Sequence, residues 1–390
     1  MSTLKVDAIR HNSATSDAIT TASDGTCSAK LTSVGGGQLS HRNLIINGAM
    51  KISQRGTSFA DSANGSYTLD RFNIQNSSGT PAFTVTQDTD APHGFNNSLK
   101  VACTTADASP ASGSFSRIRH TIEAQDLQPL AKGTSSAKAS TLSFYVKTNK
   151  TGVYTVFVYD DDNNRMFSAS YTVSDTNWNR YTIIIPADTT GAINDDNGDG
   201  IVIHWGLSLG SNRTSGSLAS NWATYSTSNE HVGNVNFADN TSNVWAITGV
   251  QLEVGDTVTS FEHRSFTEEL TRCYRYYRRF GANGALPTPA PYNRLSIGYS
   301  PSSSEVRYPF QLDPPMRINP VNSNFSKSGN FSIQPGSIGS YTLTCDDNSC
   351  STNMMIAIMG STSVSSGTGS AVSLHANNDT TAYIEISAEL

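Results

Sequence analysis

Charge is what this sequence has least of. Only 15% of its 390 residues are Asp, Glu, Lys or Arg, against about a quarter in an average soluble chain. A basic excess is lacking too: 26 Lys and Arg face 32 Asp and Glu, a formal net charge of −6. No nucleic acid partner is expected, because that binding needs many cations to neutralise phosphates. No apolar run approaches the ~18 residues of a membrane-spanning helix, so no membrane insertion is expected. Met1-Ser2-Thr3-Leu4-Lys5-Val6 lacks the basic and apolar regions of a secretory signal, and cytosolic synthesis is the expectation. Five cysteines form no CxxC pair, and eight histidines form no HExxH, which argues against zinc. Cys345 and Cys350 leave a local disulfide open, although a reducing cytosol favours free thiols. There is no Walker A, no dinucleotide fingerprint and no G-x-S-x-G elbow. Catalysis has no motif to rest on, and the chain reads as no enzyme.

What is present is short strands. The length calls for two or three domains. Apolar segments at 83–86, 99–103, 116–122, 142–146, 153–159, 179–185, 201–209 and 244–252 are divided by Gly, Asn, Asp and Pro. This pattern reads as an all-β, two-sheet sandwich or jelly roll over residues 41–264. The segments 142–146 and 153–159 read as a pair joined by a turn. Ile201, Ile203, Trp205, Leu207 and Leu209 alternate, as in a strand covered on one side. Trp245 lies in a similar apolar strand, and Trp178 precedes one, so all three read as structural. Residues 265–281 read as one connecting helix. Ser265 and Glu268 stand at capping-box spacing, and Phe266, Leu270, Cys273, Tyr274 and Tyr277 form one stripe. Arg275, Arg278 and Arg279 suit its last turn as dipole-compensating, solvated charge. A Pro-rich linker then leads to a second, smaller β domain within 282–390. Residues 1–40 have too few large apolar side chains for a core of their own.

Three stretches carry a resemblance. The first is Asn43-Leu44-Ile45-Ile46-Asn47-Gly48-Ala49-Met50, followed by Ile52-Ser53-Gln54-Arg55-Gly56. The second runs from Tyr67 to Phe72. The third is Ile247-Thr248-Gly249-Val250-Gln251-Leu252-Glu253-Val254-Gly255, continued by Phe261-Glu262-His263-Arg264-Ser265-Phe266, Glu269-Leu270 and Cys273-Tyr274-Arg275-Tyr276-Tyr277. In this order and spacing the chain resembles tail-fibre and related virion proteins of tailed bacteriophages, over residues 40–280. The resemblance implies a carbohydrate-binding-module-like jelly roll ahead of a variable C-terminal tip. It implies location in the virion as a tail fibre, with synthesis in the host cytoplasm. Residues 1–40 would attach to a tail adaptor or nozzle protein. The tip would bind host cell-surface polysaccharide or another receptor without catalysis. A head fibre or capsid decoration protein and a polysaccharide depolymerase are the alternatives. The poverty of core residues at both ends suggests a homotrimer, with the stripe Phe266, Leu270, Cys273, Tyr274 and Tyr277 on its axis.

Candidate site residues follow from chemistry. Sugar rings lie on aromatic faces beside polar groups. Trp222 and Tyr225, in a Ser/Asn-rich stretch, and Tyr292 and Tyr308, in the last domain, are the aromatic candidates. Asp195, Asn197 and Asp199 match the front of a calcium loop, so a structural calcium is a candidate cofactor. The closing Glu is missing, and the same residues also read as an Asx-rich turn. Glu123, Asp126, Glu253 and Glu262 are the carboxylates that a glycosidase reading would need to pair.

Overall fold

A computed structural model describes residues 6–10, 12–13, 15, 17–29, 40–61, 63–77, 81–281, 294–334, 342–360 and 368–390. Its larger part is two antiparallel sheets packed face to face. One has six strands, in the order Asn179–Ile185, Ser140–Thr148, Val244–Val254, Ser98–Thr105, Ala82–Asp88 and Ser58–Ala60. The other has seven: Ala223–Thr224, Arg165–Val173, Gly152–Asp160, Asp199–Leu209, Phe115–Glu123, Phe72–Asn76 and Ser66–Tyr67. From Ser98 to Asp160 successive strands alternate between the sheets, the winding of a jelly roll. Strands 140–148 and 152–160 are therefore not a hairpin. The turn between them carries the chain across the sandwich.

Inward residues of both sheets meet in one core. Trp205 is fully buried, with its ring 6.4 Å from Phe72 and 5.9 Å from Phe144 of the facing sheet. Trp245 is fully buried as well. Each buried side chain of this size contributes about 1.5–3 kcal/mol or more. Gly249 breaks the register between Val244–Val254 and Ser140–Thr148. Its φ is +60°, and a Cβ there would lie 2.7 Å from Phe95. Strand Arg165–Val173, unmarked by the sequence pattern, buries Phe167, Tyr171 and Val173 on the same core.

Asp199–Leu209 was expected to be covered on one side. It is covered on both, because residues 210–235 fold back as a strap over the outer face of the seven-stranded sheet. Val202, His204 and Ser208 are buried there. Ser168 Oγ donates to the Asn229 carbonyl (2.9 Å), and the Thr155 amide donates to Asn234 Oδ1 (2.8 Å).

The connecting helix is shorter than its stripe suggested. It spans Phe266–Tyr274, and Ser265 Oγ accepts from the Glu268 amide, as the capping pattern requires. The segment Tyr277–Gly281 is a strand that pairs with Tyr383–Ser387. Tyr277, the last residue of the stripe, fits a strand as well as a helix, and the distant partner decides. Beside Tyr383–Ser387 lies Phe325–Ser328. These three strands pack on a second sheet of six: Phe331–Gln334, Ala371–Ala376, Arg294–Ser302, Glu305–Gln311, Met354–Gly360 and Thr342–Cys345. Ile384, Ile386, Tyr308, Phe310, Met355 and Leu374 form the core between them. Cys345 and Cys350 are both free thiols, with sulfurs 3.2 Å apart.

Near the start, Ala8–Ile9, Ile19–Thr21 and Cys27–Ala29 form a three-stranded sheet. No described side chain from 6 to 27 is buried.

Candidate functional site

The candidate aromatics do not assemble into one surface. Tyr308 is fully buried in the second core, and Tyr292 lies outside the described residues. Trp222 is half-buried. Its Nε1 donates to the Pro186 carbonyl (2.9 Å), and Lys132 Nζ stands 4.8 Å from its ring centre. Tyr225 donates its hydroxyl to Glu230 Oε1 (2.6 Å) and meets Tyr159 edge-on at 5.3 Å. Both rings hold the strap instead of standing clear of it.

The calcium-type loop is not closed round a point. Asp199 Oδ2 pairs with Arg119 (2.7 Å), while Asn197 Nδ2 donates to the Arg317 carbonyl (2.8 Å). Arg317 Nη1 returns a bond to the Asn197 carbonyl (2.9 Å), and Asp195 is exposed. The loop is drawn onto the second domain. Among the described residues no three His, Cys, Asp or Glu side chains are grouped to hold a metal.

The proposed axial stripe is also split. Cys273 and Tyr277 are buried within the chain, and Leu270 and Tyr274 are half-buried. Phe266 alone is well exposed, at 45%. The reason is that this helix packs on its own sandwich.

The motif stretches come together as a joint between the two β domains. Asn43 Nδ2 donates to the Val250 carbonyl (3.1 Å), and its Oδ1 accepts from the Ile45 and Leu252 amides (2.9 and 3.2 Å). Glu262 accepts from the Asn43 amide (3.0 Å). Asn47, at φ +61°, donates Nδ2 to the Ile52 and Asp70 carbonyls (2.8 and 2.9 Å) and its amide to Glu269 (2.6 Å). The Gln54 amide and Nε2 both donate to the Asp70 carboxyl (2.7 and 2.6 Å). Burial raises that carboxyl above its usual pKa, against Arg55 and the Gln54 bonds.

The arginines cross the joint. Arg275 holds Glu123 through two bonds (2.8 and 2.9 Å), and Arg279 holds Glu385 (2.7 Å). The 7%-exposed Arg278 donates to the Pro314 carbonyl (2.7 Å). The expectation of solvated, dipole-compensating charge is thus corrected: these cations are spent on tertiary partners. Arg71 is stacked 3.5 Å over the Tyr276 ring and pairs with Glu389, which also meets Arg55 at 3.2 Å. Arg55 in turn lies 3.6 Å over Tyr277. Arg317 donates to the Ala388 and Glu389 carbonyls (2.6 and 2.8 Å), and Tyr67 donates its hydroxyl to the Leu390 carbonyl. Three of the four candidate carboxylates are therefore structural: Glu123 binds Arg275, Glu253 binds Thr259 and Glu262 binds Asn43. Burial and the neighbouring Glu123 raise the Asp126 carboxyl.

Beneath the strap lies a buried polar cluster. Glu230, 1% exposed, accepts from Arg117 (3.1 Å), Arg213 (2.5 Å) and Tyr225. His204 stacks on Phe157 at 5.2 Å, and His231 Nδ1 bonds Thr155 Oγ1 at 3.0 Å. Burial, reinforced by the adjacent arginines, drives both rings well below the usual imidazole pKa. Both are neutral in the folded chain, whereas the unfolded chain binds protons below about pH 6.5. Stability is therefore complete above that pH and falls beneath it, with a slope of up to about 1.4 kcal/mol per pH unit for each ring. Urea midpoints measured from about pH 8 to pH 5 should hold level and then drop. A level profile throughout would contradict the buried neutral rings.

The open polar site is elsewhere. On the outer face of the six-stranded sheet, a cleft of about 520 Å³ is lined by Asp90, Lys100, Lys147, Asn149, Asn177 and Val244, with Ala246 between the lysines. Lys100 pairs with Asp88 and Lys147 with Asp90, each at 2.8 Å. The indole Nε1 of half-buried Trp178 donates to Asp90 Oδ1 (3.0 Å). Apart from Trp178, which reads as structural, these residues carry no sequence signal because they come from five separate segments.

No family model matches the chain, and no curated protein matches it in sequence. Similar solved structures include a putative sugar binding protein from Bacteroides thetaiotaomicron, at 14% identity and a TM-score of 0.31, covering 55% of this chain and all of that one. A structure described as "CBM4 structure and function" has 12% identity and a TM-score of 0.29, covering 54% of this chain and 99% of its own. A family 11 carbohydrate-binding module from Clostridium thermocellum, in complex with a mixed-linked tetrasaccharide, has 11% identity and a TM-score of 0.27, with 53% and 99% covered.

Proposed function

We propose that this chain is a structural fibre protein of a tailed bacteriophage that binds the host-cell surface, through glycan, without catalysis. The observation that carries the reading is the joint. The stretches that carry the resemblance to fibre proteins form one hydrogen-bonded connection between sandwich and tip, as a load-transmitting adhesin needs. Three candidate carboxylates are tied into structural bonds, which supports binding over cleavage. Residues 1–40 dock on a virion protein, and the assembled fibre is a homotrimer whose weak sites add by multivalency. Sedimentation of the full chain, with rebinding to virions that lack fibres, tests this. A trimer that rebinds tails, and fails to after removal of residues 1–40, is the expected result. A monomer, or rebinding to heads, sinks the tail-fibre reading.

A further inference from the structure

We propose that the cleft on the six-stranded sheet is the glycan site and that it selects neutral sugars, an inference that rests on the adhesin reading above. Thr86, Lys100, Ala246 and Lys147 are register partners in successive strands, so they form one row across the sheet. The two lysines flank Ala246, which places them about two strand spacings, ~9–10 Å, apart. Ala246 has nothing beyond Cβ, so a sugar ring can lie on the sheet between them.

Each lysine brings its own carboxylate. Both lysine side chains are 38% exposed, while Asp88 and Asp90 are 23% and 54% exposed. Every ammonium thus keeps N–H donors, and every carboxylate keeps lone pairs, for a ligand. A Lys–Asp pair fits a vicinal diol: one hydroxyl donates to the carboxylate while its neighbour accepts from the ammonium. Two such pairs on either side of a small floor suit two successive sugar rings. The volume lies within the usual range for small-ligand sites, about 300–1,000 Å³.

Charge decides the class. Two ammoniums and two carboxylates cancel locally. A uronic acid or sialic acid would meet Asp90 in the lining, and Asp88 beside Lys100, with like charge, and an amino sugar would meet the lysines. Neutral hydroxyls alone satisfy both halves of each pair.

The test uses the full-length chain and calorimetric titration with neutral xylo-, gluco- and galacto-oligosaccharides of three to four rings, beside oligogalacturonides as the acidic arm. Neutral oligosaccharides should bind, and acidic ones at least about tenfold more weakly. Ala246→Phe fills the floor and should abolish binding. Lys147→Ala keeps the fold and should weaken binding about tenfold or more, so the result does not depend on the bulky variant. Tighter binding of the acidic arm, no binding across the panel, or neutral binding unchanged in both variants would overturn the site. A chain that rebinds virions while its glycan binding survives both variants loses the cleft and keeps the fibre reading. Binding through the cleft without rebinding does the reverse.

Discussion

Arg71→Ala should cost about 3–5 kcal/mol and separate the unfolding of the two domains. Arg71 is 1% exposed, and the Glu389 side chain it faces is 4% exposed. Removing the guanidinium strands a buried carboxylate with Arg55 as its remaining cation, opens a void beside Tyr276, and leaves the Thr121 carbonyl without its 2.6 Å donor. An exposed ion pair of the same kind would be worth under about 1 kcal/mol. Burial makes the difference. Arg71 also holds a φ of +69°, which a non-glycine residue adopts at a cost. Urea unfolding followed by fluorescence should change from one transition to two. One transition at an unchanged midpoint would show that Arg71 is not what couples the domains.

Glu230→Ala is expected to be comparably severe, at about 3–5 kcal/mol, through the opposite charge. Glu230 is the shared anion of Arg117 and Arg213. Without it, two adjacent guanidiniums face each other under the strap. Arg117 is 9% exposed and already has its pKa pulled down, to about 10, by burial. The strap should lift and uncover Phe157 and His204. Hydrogen exchange would register this as lost protection across residues 210–235, with the six-stranded sheet unchanged. Glu230→Gln, which keeps the acceptor, should lose less. Equal protection in the alanine variant and the parent would refute the role given to Glu230.

The sandwich was legible because its signal is local. Trp205 among Ile201, Ile203 and Leu207 declares an inward face by alternation alone. The Ser265–Glu268 cap marks the helix start for the same reason. What the sequence hides is pairing at a distance. The outer face of Asp199–Leu209 looks polar, and nothing near it reveals that residues 210–235 return to cover it. Tyr277 fits the helical stripe, and only its pairing with Ser387 makes a strand of that segment. Strand Ala371–Ala376 is hidden by its Ser/Thr/Gly-rich surroundings, although Val372, Leu374 and Ala376 are buried. The arginines of the motif look like surface charge until Glu123, Glu385 and Glu389 arrive from elsewhere in the chain. The cleft is invisible for a related reason: Lys100 and Lys147 become neighbours only through the strand between them.

The second domain is entered through Tyr277–Gly281 and left through Tyr383–Ser387, which are adjacent strands of one sheet. The chain between them therefore leaves and returns through one clasp, with Arg317 holding it to Asn197 of the sandwich as well. Recombination can exchange that loop for another of different length and sequence, provided the two clasp strands remain. The new occupant inherits the clasp without any change to the sandwich. Such a layout lets the second domain vary as a cassette, while the joint, the jelly roll and the sugar preference of its cleft pass unaltered from one variant to the next.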